Sequence, residues 1–282
     1  MTTGDDTLPL LDSEYALPVG AAEEFRERGH VLLRGLASRT EAEAYRERIA
    51  SVVERLKAAA RGGAYQKKLE ERDTYTKAFL QLSNLWREDE ALCRFTLSRR
   101  FAKVAADLLG VEGVRIYHDQ ALFKEPGGGH TPWHQDQFYW PLDTTNTVTM
   151  WMPLVDASIE MGTLVFADGS HRAGPLASLA ISDESERVFR EMVMGREARL
   201  TISEMSAGDA SWHYGWTLHK APGNSSATMR AAMTIIYVAD GVRLSEWKTK
   251  SHPNEASNWM PGLGPGDLVA SELNPVVYRR GE

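Results

Sequence analysis

The N-terminal third of the chain carries apolar positions at helical spacing, with polar and charged residues between them. The pattern predicts one strand, over residues 31–36, and helices over residues 21–28, 40–60, 88–95 and 97–109. Thr40 is expected to cap the second helix, because its hydroxyl precedes Glu41 and Glu43, which complement the positive end of the helix dipole. Residues 20–110 are therefore predicted to be mainly helical.

From Val111 onward the pattern changes to short, β-prone runs separated by turns rich in Gly and Pro. The predicted strands lie over residues 115–124, 131–140, 147–154, 162–166, 210–220 and 228–238. Residues 172–206 are highly charged and predicted to be partly helical, whereas residues 241–282 are predicted to form a loop-rich closing segment. We predict one domain over residues 1–282, mainly β with flanking helices, whose core over 111–240 is a jelly-roll or cupin-like barrel.

The composition is that of an ordinary soluble globular protein, with 43% hydrophobic and 25% charged residues. The net charge of -7 argues against binding to nucleic acid or to an anionic membrane surface. No segment approaches the roughly 18 apolar residues that cross a bilayer. Cys93 is the only cysteine, so neither an internal disulfide nor a multi-thiolate zinc site can form. These features predict a cytoplasmic protein of a reducing compartment and leave its oligomeric state open.

The segment TPWHQDQFYW, residues 131–140, holds an imidazole and a carboxylate two residues apart. Residues i and i+2 of a strand share one face, about 7 Å apart along the strand. His134 and Asp136 are therefore expected to converge on one point, while Gln135 faces away. Such a pair suits a divalent transition metal, and one more histidine would complete the two-His-one-carboxylate triad that leaves open positions on non-haem Fe(II).

Two histidines of the late predicted strand, His213 and His219, are candidates for that third ligand. A hairpin turn over residues 222–227 would place His219 opposite Arg230, so that both side chains share an inward face. The planar guanidinium of Arg230 would then lie near the metal, where it could bind the carboxylate of a cosubstrate through two parallel hydrogen bonds. His213 has no such neighbour, and the pattern favours His219.

These motifs resemble those of the phytanoyl-CoA dioxygenase-like family of Fe(II)/2-oxoglutarate-dependent oxygenases, which have a double-stranded β-helix core. The resemblance covers most of the chain from about Gly29 to Val238, and its residues are His134-Gln135-Asp136, Trp151, Gly162, Gly169-Ser170-His171, Gly208-Asp209, His213, His219 and Arg230. It implies that His134, Asp136 and His219 bind the iron. It also implies that Arg230 binds the C5 carboxylate of 2-oxoglutarate.

The resemblance implies further contacts with the cosubstrate. Gln120, Gln135 and Trp151 match family residues that contact 2-oxoglutarate. Ala221 stands where some relatives have a hydroxyl residue that helps to bind the C5 carboxylate. Thr149, on the same predicted strand face as Trp151, could supply that hydroxyl instead.

Aromatic residues flank the predicted ligands and are expected to wall an apolar pocket for a small-molecule substrate. The expected substrate contacts are Gln81, His130, Trp133, Phe138 and Tyr139. The expected lids are residues 65–86, 172–206 and 241–262. Because no basic cluster clearly suits a coenzyme A phosphate, the name of the family is not taken as the substrate.

The family's reaction consumes O2 and 2-oxoglutarate, releases succinate and CO2, and is supported by ascorbate in assays. The resemblance implies hydroxylation of an unactivated C–H bond in a small apolar or amphipathic metabolite, such as an intermediate of secondary metabolism. Asp136 argues against halogenation, because halogenating relatives replace this ligand by a small residue. Desaturation, epimerisation and oxidative cyclisation stay open, because they use the same cofactors. So do a cupin-type metal isomerase or hydrolase, which Arg230 disfavours, and a non-catalytic jelly-roll binding module.

Overall fold

The computed structural model describes residues 8–59, 71–72 and 74–282, apart from the side chains of residues 74 and 75. The helices are Ala21–Arg28 (α1), Arg39–Ala59 (α2), Thr74–Ala78 (α3), Glu90–Thr96 (α4), Arg99–Leu109 (α5), Asp183–Gly195 (α6) and His252–Trp259 (α7). The strands are His30–Leu33 (β1), Leu80–Ser83 (β2), Gly113–Lys124 (β3), Thr131–His134 (β4), Thr147–Pro153 (β5), Val165–Ala167 (β6), Leu200–Ile202 (β7), Ala210–Tyr214 (β8), His219–Ala221 (β9), Arg230–Ala239 (β10) and Val276–Arg279 (β11).

Within these residues the strands form two antiparallel sheets that together line a cavity. The larger sheet has the order β1-β8-β5-β10-β3-β11, and β2 also pairs with β3. The smaller sheet has the order β4-β9-β6-β7. The prediction of a mainly β fold with flanking helices is therefore confirmed.

Alternation along the central strands of the larger sheet separates the core from the cavity. On β5, Met150 and Met152 pack in the main hydrophobic core, whereas Thr149 and Trp151 line the cavity. Phe101 of α5 belongs to the same core as the two methionines. Because neighbouring residues of a strand point to opposite faces, helices cover one face of this sheet and the other face is left for the site.

Helix α2 begins one residue earlier than predicted, and its cap is a different residue. The Ser38 hydroxyl accepts a hydrogen bond from the Glu41 amide (3.2 Å), and the Glu41 carboxylate accepts one from the Ser38 amide (2.7 Å). This reciprocal pair is a capping box. Ser38 therefore caps the helix, and the prediction of Thr40 as the cap is wrong.

The predicted strand over residues 210–220 is divided between the two sheets. β8 pairs with β1 and β5 of the larger sheet, whereas β9 pairs with β4 and β6 of the smaller sheet. The predicted hairpin between β9 and β10 is therefore wrong. His219 lies opposite His134, and Arg230 lies opposite Lys124.

The closing segment contains more regular structure than its Pro and Gly content predicts. It includes α7 and β11. Ala256 of α7 and Met260, directly after α7, are buried in a hydrophobic cluster with Tyr117, Trp140 and Ile236. Of the predicted lid over residues 65–86, residues 65–70 and 73 lie outside the described part of the chain. Among the described helices, none is both long and apolar enough to cross a membrane.

Candidate metal centre and cavity

His134, Asp136 and His219 form a compact set of potential metal ligands. Their donor atoms all lie within 4.8 Å of one another. The Asp136 Oδ1 atom is 3.4 Å from the Nε2 atom of His134 and 3.7 Å from that of His219. The two histidines are opposite each other on β4 and β9 of the smaller sheet, and Asp136 follows the end of β4. Two imidazoles and one carboxylate are the donor set of a facial triad, which fits ferrous iron.

Backbone carbonyls hold both imidazoles in the orientation that metal binding requires. The Nδ1 atom of His134 lies 2.8 Å from the Pro132 carbonyl, and that of His219 lies 2.9 Å from the Thr217 carbonyl. A carbonyl accepts only, so each Nδ1 carries the proton and each Nε2 keeps its lone pair. Burial, together with neighbouring His134, lowers the pKa of His219 well below its usual value.

The second oxygen of Asp136 is held by two residues of the larger sheet. The Thr149 hydroxyl donates to Asp136 Oδ2 (3.1 Å), and the His213 Nε2 atom lies 3.2 Å from the same oxygen. Burial alone would raise the pKa of Asp136, but the histidines around it, His219 first, hold that pKa well below its usual value. The contacts with Thr149 and His213 therefore orient the carboxylate.

A short turn after β4 places Asp136, which lies in a 3-10 helix over Asp136–Phe138 rather than in the predicted strand. The Gln137 amide donates to the Gly215 carbonyl (2.9 Å), and the Gln137 side chain contacts Thr147 and the carbonyl of Thr144. These contacts join the ligand turn to the segment between β8 and β9.

A buried arginine marks another part of the cavity. Arg230 donates to the Gly162 carbonyl (2.8 Å) and lies over the Trp151 ring, 5.1 Å from its centroid. Burial lowers the pKa of this guanidinium to about 9. Its Nε atom and the Trp151 Nε1 atom are buried donors without a partner in the described part of the chain. Unused donors beside a buried cation fit the carboxylate of 2-oxoglutarate.

A buried lysine lies beside Arg230 on the neighbouring strand. Lys124, opposite Arg230 on β3, donates to the carbonyls of Gly129 (2.8 Å) and Pro222 (2.7 Å). Burial, with the charge of Arg230, lowers the pKa of Lys124 to about 6. Arg230 therefore keeps its charge at neutral pH while Lys124 gives its proton up readily, and the cost of burying the guanidinium favours an anion as its ligand.

The cavity measures about 630 Å³ and extends from this corner past the metal ligands. Four residues, named here the aromatic wall, line it beyond the ligands: His118, Tyr139, Trp140 and Trp259. Glu255 of α7 also faces the cavity, and so do Gln81 of β2 and Ile181. Each of the three predicted lid segments thus contributes at least one lining residue.

Several predicted site residues lie in the cavity, although their contacts with ligands stay predictions. Gln120, Trp151, Gln81 and Tyr139 all line it. The Gln120 side chain accepts a weak hydrogen bond from Thr234, at 3.4 Å.

Thr149 also lines the cavity, but its hydroxyl donates its one proton to Asp136. Its contact with the C5 carboxylate stays a prediction, and the hydrogen bond to Asp136 disfavours it because the hydroxyl has only one proton to donate.

Gln135 does not line the cavity, so its contact with the cosubstrate stays a prediction that its position disfavours. Its side-chain amide donates to the carbonyls of Gly174 (2.9 Å) and Trp216 (2.7 Å) and accepts from the Leu176 amide (2.9 Å). The residue between two strand-end ligands points to the opposite side. Gln135 therefore fixes two loops outside the site.

Three predicted substrate contacts are also outside the cavity. Trp133 is buried in a separate cluster with Phe189 and Leu218, because it alternates with the ligand His134 along β4. Phe138 packs edge-on against Tyr139, and His130 is exposed in the loop before β4. Nearness to the ligands in sequence did not place these side chains in the site.

Sequence reasoning missed Glu255, His118, Trp259 and the cavity-lining Thr131. Thr131 lies opposite Ala221, the position at which some relatives have a hydroxyl residue. The absence of a hydroxyl at Ala221 was therefore a reason to look for one on a neighbouring strand. His213 was considered only as an iron ligand, and its role beside Asp136 was not predicted. The available signal was the spacing of six residues between His213 and His219, which gives both side chains the same direction in an unbroken strand.

A family model described as "Phytanoyl-CoA dioxygenase (PhyH)" matches residues 25–232 of the chain. The "1-deoxypentalenic acid 11-beta-hydroxylase" of Streptomyces arenae is 27% identical over 246 residues, which cover 81% of this chain and 82% of that enzyme. Its namesake from Streptomyces exfoliatus is 33% identical over 130 residues, covering 43% of this chain and 44% of that enzyme. The latter match thus spans less than half of the relative.

Solved structures with the same architecture include two proteins of nogalamycin biosynthesis. The carbocyclase SnoK superposes with a TM-score of 0.73 at 24% identity, covering 93% of this chain and 97% of that one. The epimerase SnoN, in complex with Fe3+, alpha ketoglutarate and nogalamycin RO, gives a TM-score of 0.71 at 22% identity, covering 92% and 97%. At these identities the likeness shows the fold, and the predicted double-stranded β-helix is confirmed.

Proposed function

This chain belongs to the phytanoyl-CoA dioxygenase family and is an Fe(II)- and 2-oxoglutarate-dependent dioxygenase, and we propose that it hydroxylates an unactivated C–H bond of a small apolar or amphipathic metabolite. The hydroxylase names of its Streptomyces relatives support this reaction. The size of the cavity and its aromatic wall support a small substrate with apolar surface.

The observation that carries the proposal is the shared cavity of the ligand triad and the buried arginine. We assign the iron to His134, Asp136 and His219, and the far carboxylate of 2-oxoglutarate to Arg230. An isomerase or hydrolase would need the triad but not a desolvated guanidinium with unused donors beside it. A binding module would need neither.

The two sheets divide this work between them. The smaller sheet supplies both histidine ligands, whose tautomers are fixed by carbonyls. The larger sheet supplies the arginine and the two residues that orient Asp136. Iron, 2-oxoglutarate and O2 together supply the oxidising chemistry, and the protein contributes coordination, orientation and an apolar enclosure.

Succinate formation tests the dioxygenase site directly. Purified protein is supplied with Fe(II), ascorbate and 2-oxoglutarate, because such enzymes turn over slowly without a substrate. We expect succinate from the wild type and none from His134→Ala, which removes an iron ligand. His130→Ala is the matched control, since His130 is an exposed histidine four residues away and outside the cavity. No succinate and no anaerobic binding of iron or 2-oxoglutarate by the wild type would refute the assignment.

A metabolite screen for stimulated succinate release tests the type of reaction. We expect a stimulating compound to gain one oxygen atom, as seen by mass spectrometry. Loss of two hydrogen atoms would instead identify desaturation or cyclisation, and an unchanged mass with altered stereochemistry would identify epimerisation. Either of these results would contradict hydroxylation while leaving the iron site intact.

A further inference from the structure

We propose that the substrate carries a protonated amine and that Glu255 binds it inside the cavity. The inference rests on the proposed function, because it concerns the substrate of the same site. Glu255 and the aromatic wall line the cavity that holds the iron ligands. Its carboxylate takes no part in the binding of iron or 2-oxoglutarate proposed above, which leaves the substrate as its partner.

The position of the Glu255 side chain is fixed by the packing of α7. The Trp259 indole, one turn further along the helix, donates to Glu255 Oε2 (2.6 Å). Ala256 and Met260 bury the helix against the larger sheet. His252 at the start of the helix contacts the Phe138 carbonyl (3.2 Å), at the end of the turn that holds Asp136. The carboxylate is thus held at a defined place relative to the iron ligands.

The charge of this carboxylate is not balanced by a protein cation in the described part of the chain. The one hydrogen bond to its oxygens comes from the neutral Trp259 indole, and no lysine or arginine contributes to its electrostatics. Burial raises the pKa of Glu255, as expected for a partly desolvated acid. A buried charge of this kind is stabilised when a ligand of opposite charge binds beside it.

The surroundings suit a cation better than a neutral hydrogen-bond donor. His118 packs against Trp259 in a tilted arrangement, with ring centroids 4.4 Å apart. Burial lowers the pKa of His118 to about 4, so this imidazole is neutral and does not repel a cation. Aromatic faces attract ammonium groups through their quadrupole. A hydroxyl could donate to Glu255, but it would leave the negative charge uncompensated.

Tyr139 lines the same cavity and is near enough to Asp136 and Glu255 for both charges to act on its hydroxyl. Its hydroxyl accepts a hydrogen bond from the Ile181 amide (2.7 Å). Burial raises the pKa of this hydroxyl most, and the charges of Asp136 and Glu255 raise it further. Both carboxylates therefore act on one hydroxyl group. A substrate whose amine binds Glu255 can extend past Tyr139 towards the iron ligands, which makes Glu255 a determinant of both specificity and position.

The experiment compares amines with neutral and acidic molecules of the same skeleton. The probes are cyclic alkylamines, beginning with cyclohexylmethylamine, each matched with its alcohol, its N-acetyl amide and its carboxylic acid. Binding is measured by anaerobic calorimetry on the wild type loaded with Fe(II) and 2-oxoglutarate, and succinate release is measured in air. We expect the amines to bind at least about tenfold more tightly than their matched alcohols, as for a charge-assisted hydrogen bond.

Two variants separate the carboxylate from general effects of charge. Glu255→Gln keeps an acceptor for Trp259 but removes the charge, and we expect it to abolish the preference for amines over alcohols. Glu246→Gln is the matched control, because Glu246 is exposed in the same closing segment and does not line the cavity. It should retain the preference of the wild type.

The failures of the two proposals are distinguishable. If the wild type forms succinate but responds to alcohols or acids as strongly as to amines, or to no amine, the amine inference is overturned and the dioxygenase stands. A preference that survives in Glu255→Gln also overturns it. If the wild type forms no succinate under any condition, both proposals fall.

Discussion

Replacement of Arg230 by methionine should remove the binding of 2-oxoglutarate without destabilising the metal-free protein. Methionine keeps the unbranched, apolar part of the side chain and has no charge, although it does not replace the guanidinium over Trp151. The variant Arg230→Lys retains a charge but not the planar fork. Arg196→Met is the control, because Arg196 is an exposed arginine at the end of α6.

The loss of affinity follows from the contacts that a carboxylate would make. A hydrogen bond to a charged group contributes about 1.5–3 kcal/mol, and a guanidinium offers two in parallel. Removal of both should cost at least about 3 kcal/mol, which is on the order of a hundredfold in the dissociation constant. Arg230→Lys should lose less, because a point charge keeps part of the attraction.

The expected effect of Arg230→Met on stability comes from the removal of a desolvated charge, not from the loss of a contact with a ligand. Burial lowers the pKa of Arg230 to about 9. At roughly 1.4 kcal/mol for each pKa unit, this corresponds to a desolvation cost on the order of 5 kcal/mol, as an upper limit. The hydrogen bond to the Gly162 carbonyl offsets a part of it. When no ligand is present, the free energy of unfolding of Arg230→Met should therefore be equal to or above that of the wild type.

Two measurements check these expectations. Anaerobic calorimetry of the iron-loaded proteins gives the dissociation constant of 2-oxoglutarate, and denaturant unfolding of the metal-free proteins gives the free energy of unfolding. The cosubstrate should also raise the melting temperature of the wild type but not of Arg230→Met. An affinity within a few-fold of the wild type would show that the carboxylate binds elsewhere. A loss of several kcal/mol in the metal-free state would show that Arg230 is a structural residue.

Other parts of the molecule give further predictions. Thr149→Val and His213→Ala each remove a partner of Asp136, and each should weaken iron binding about tenfold to a hundredfold in competition with a chelator; unchanged iron affinity in both variants would show that these contacts do not orient the ligand. Asp119 is buried, accepts hydrogen bonds from Thr96 and two backbone amides, and has its pKa raised by burial to about 6. Because the folded state holds this proton more tightly than the unfolded state, the free energy of unfolding should fall as the pH rises from about 4 through about 6, by at most about 3 kcal/mol. Denaturant unfolding across this range gives the free energy of unfolding of the wild type minus that of Asp119→Asn, and this quantity should fall as the pH rises. A rise in the same quantity would mean that the three donors outweigh desolvation.

The helical N-terminal third could be predicted closely because its signals are local. Helix α1 matches its predicted bounds, since Gly29 adopts a left-handed conformation that ends it. The cap of α2 was misplaced because two hydroxyl residues, Ser38 and Thr40, precede acidic residues. The reciprocal bonds between Ser38 and Glu41 decide between them, and these depend on geometry that spacing does not fix.

The site was predicted through a register that the molecule does not use. The hairpin argument paired His219 with Arg230, yet they lie on different sheets and meet only across the cavity. The choice of residues came from the resemblance to the family, whose motif spacing reflects the fold indirectly. Register arithmetic assumes that consecutive strands pair, and a jelly roll exchanges consecutive strands between its sheets.

Gln81 and Tyr139 of the cavity could be predicted, but His118 and Glu255 could not, because they are distant from the ligand motifs in sequence. His118 and Glu255 come from β3 and α7, on either side of the ligand motifs, and the Pro and Gly content of the closing segment concealed the helix. The tryptophan beside the ligand motif, Trp133, points away from the site through simple alternation.

The division of the site between two sheets has a thermodynamic consequence. In the proposed complex, 2-oxoglutarate contacts both an iron whose histidine ligands belong to the smaller sheet and Arg230 of the larger sheet. It would then join the two sheets, and its affinity would depend on their separation. By reciprocity, whatever factor iron adds to the affinity for 2-oxoglutarate, 2-oxoglutarate adds to the affinity for iron. Substitutions between the helices and the larger sheet, such as at Met150 or Phe101, can therefore change the retention of iron without contacting any of its ligands.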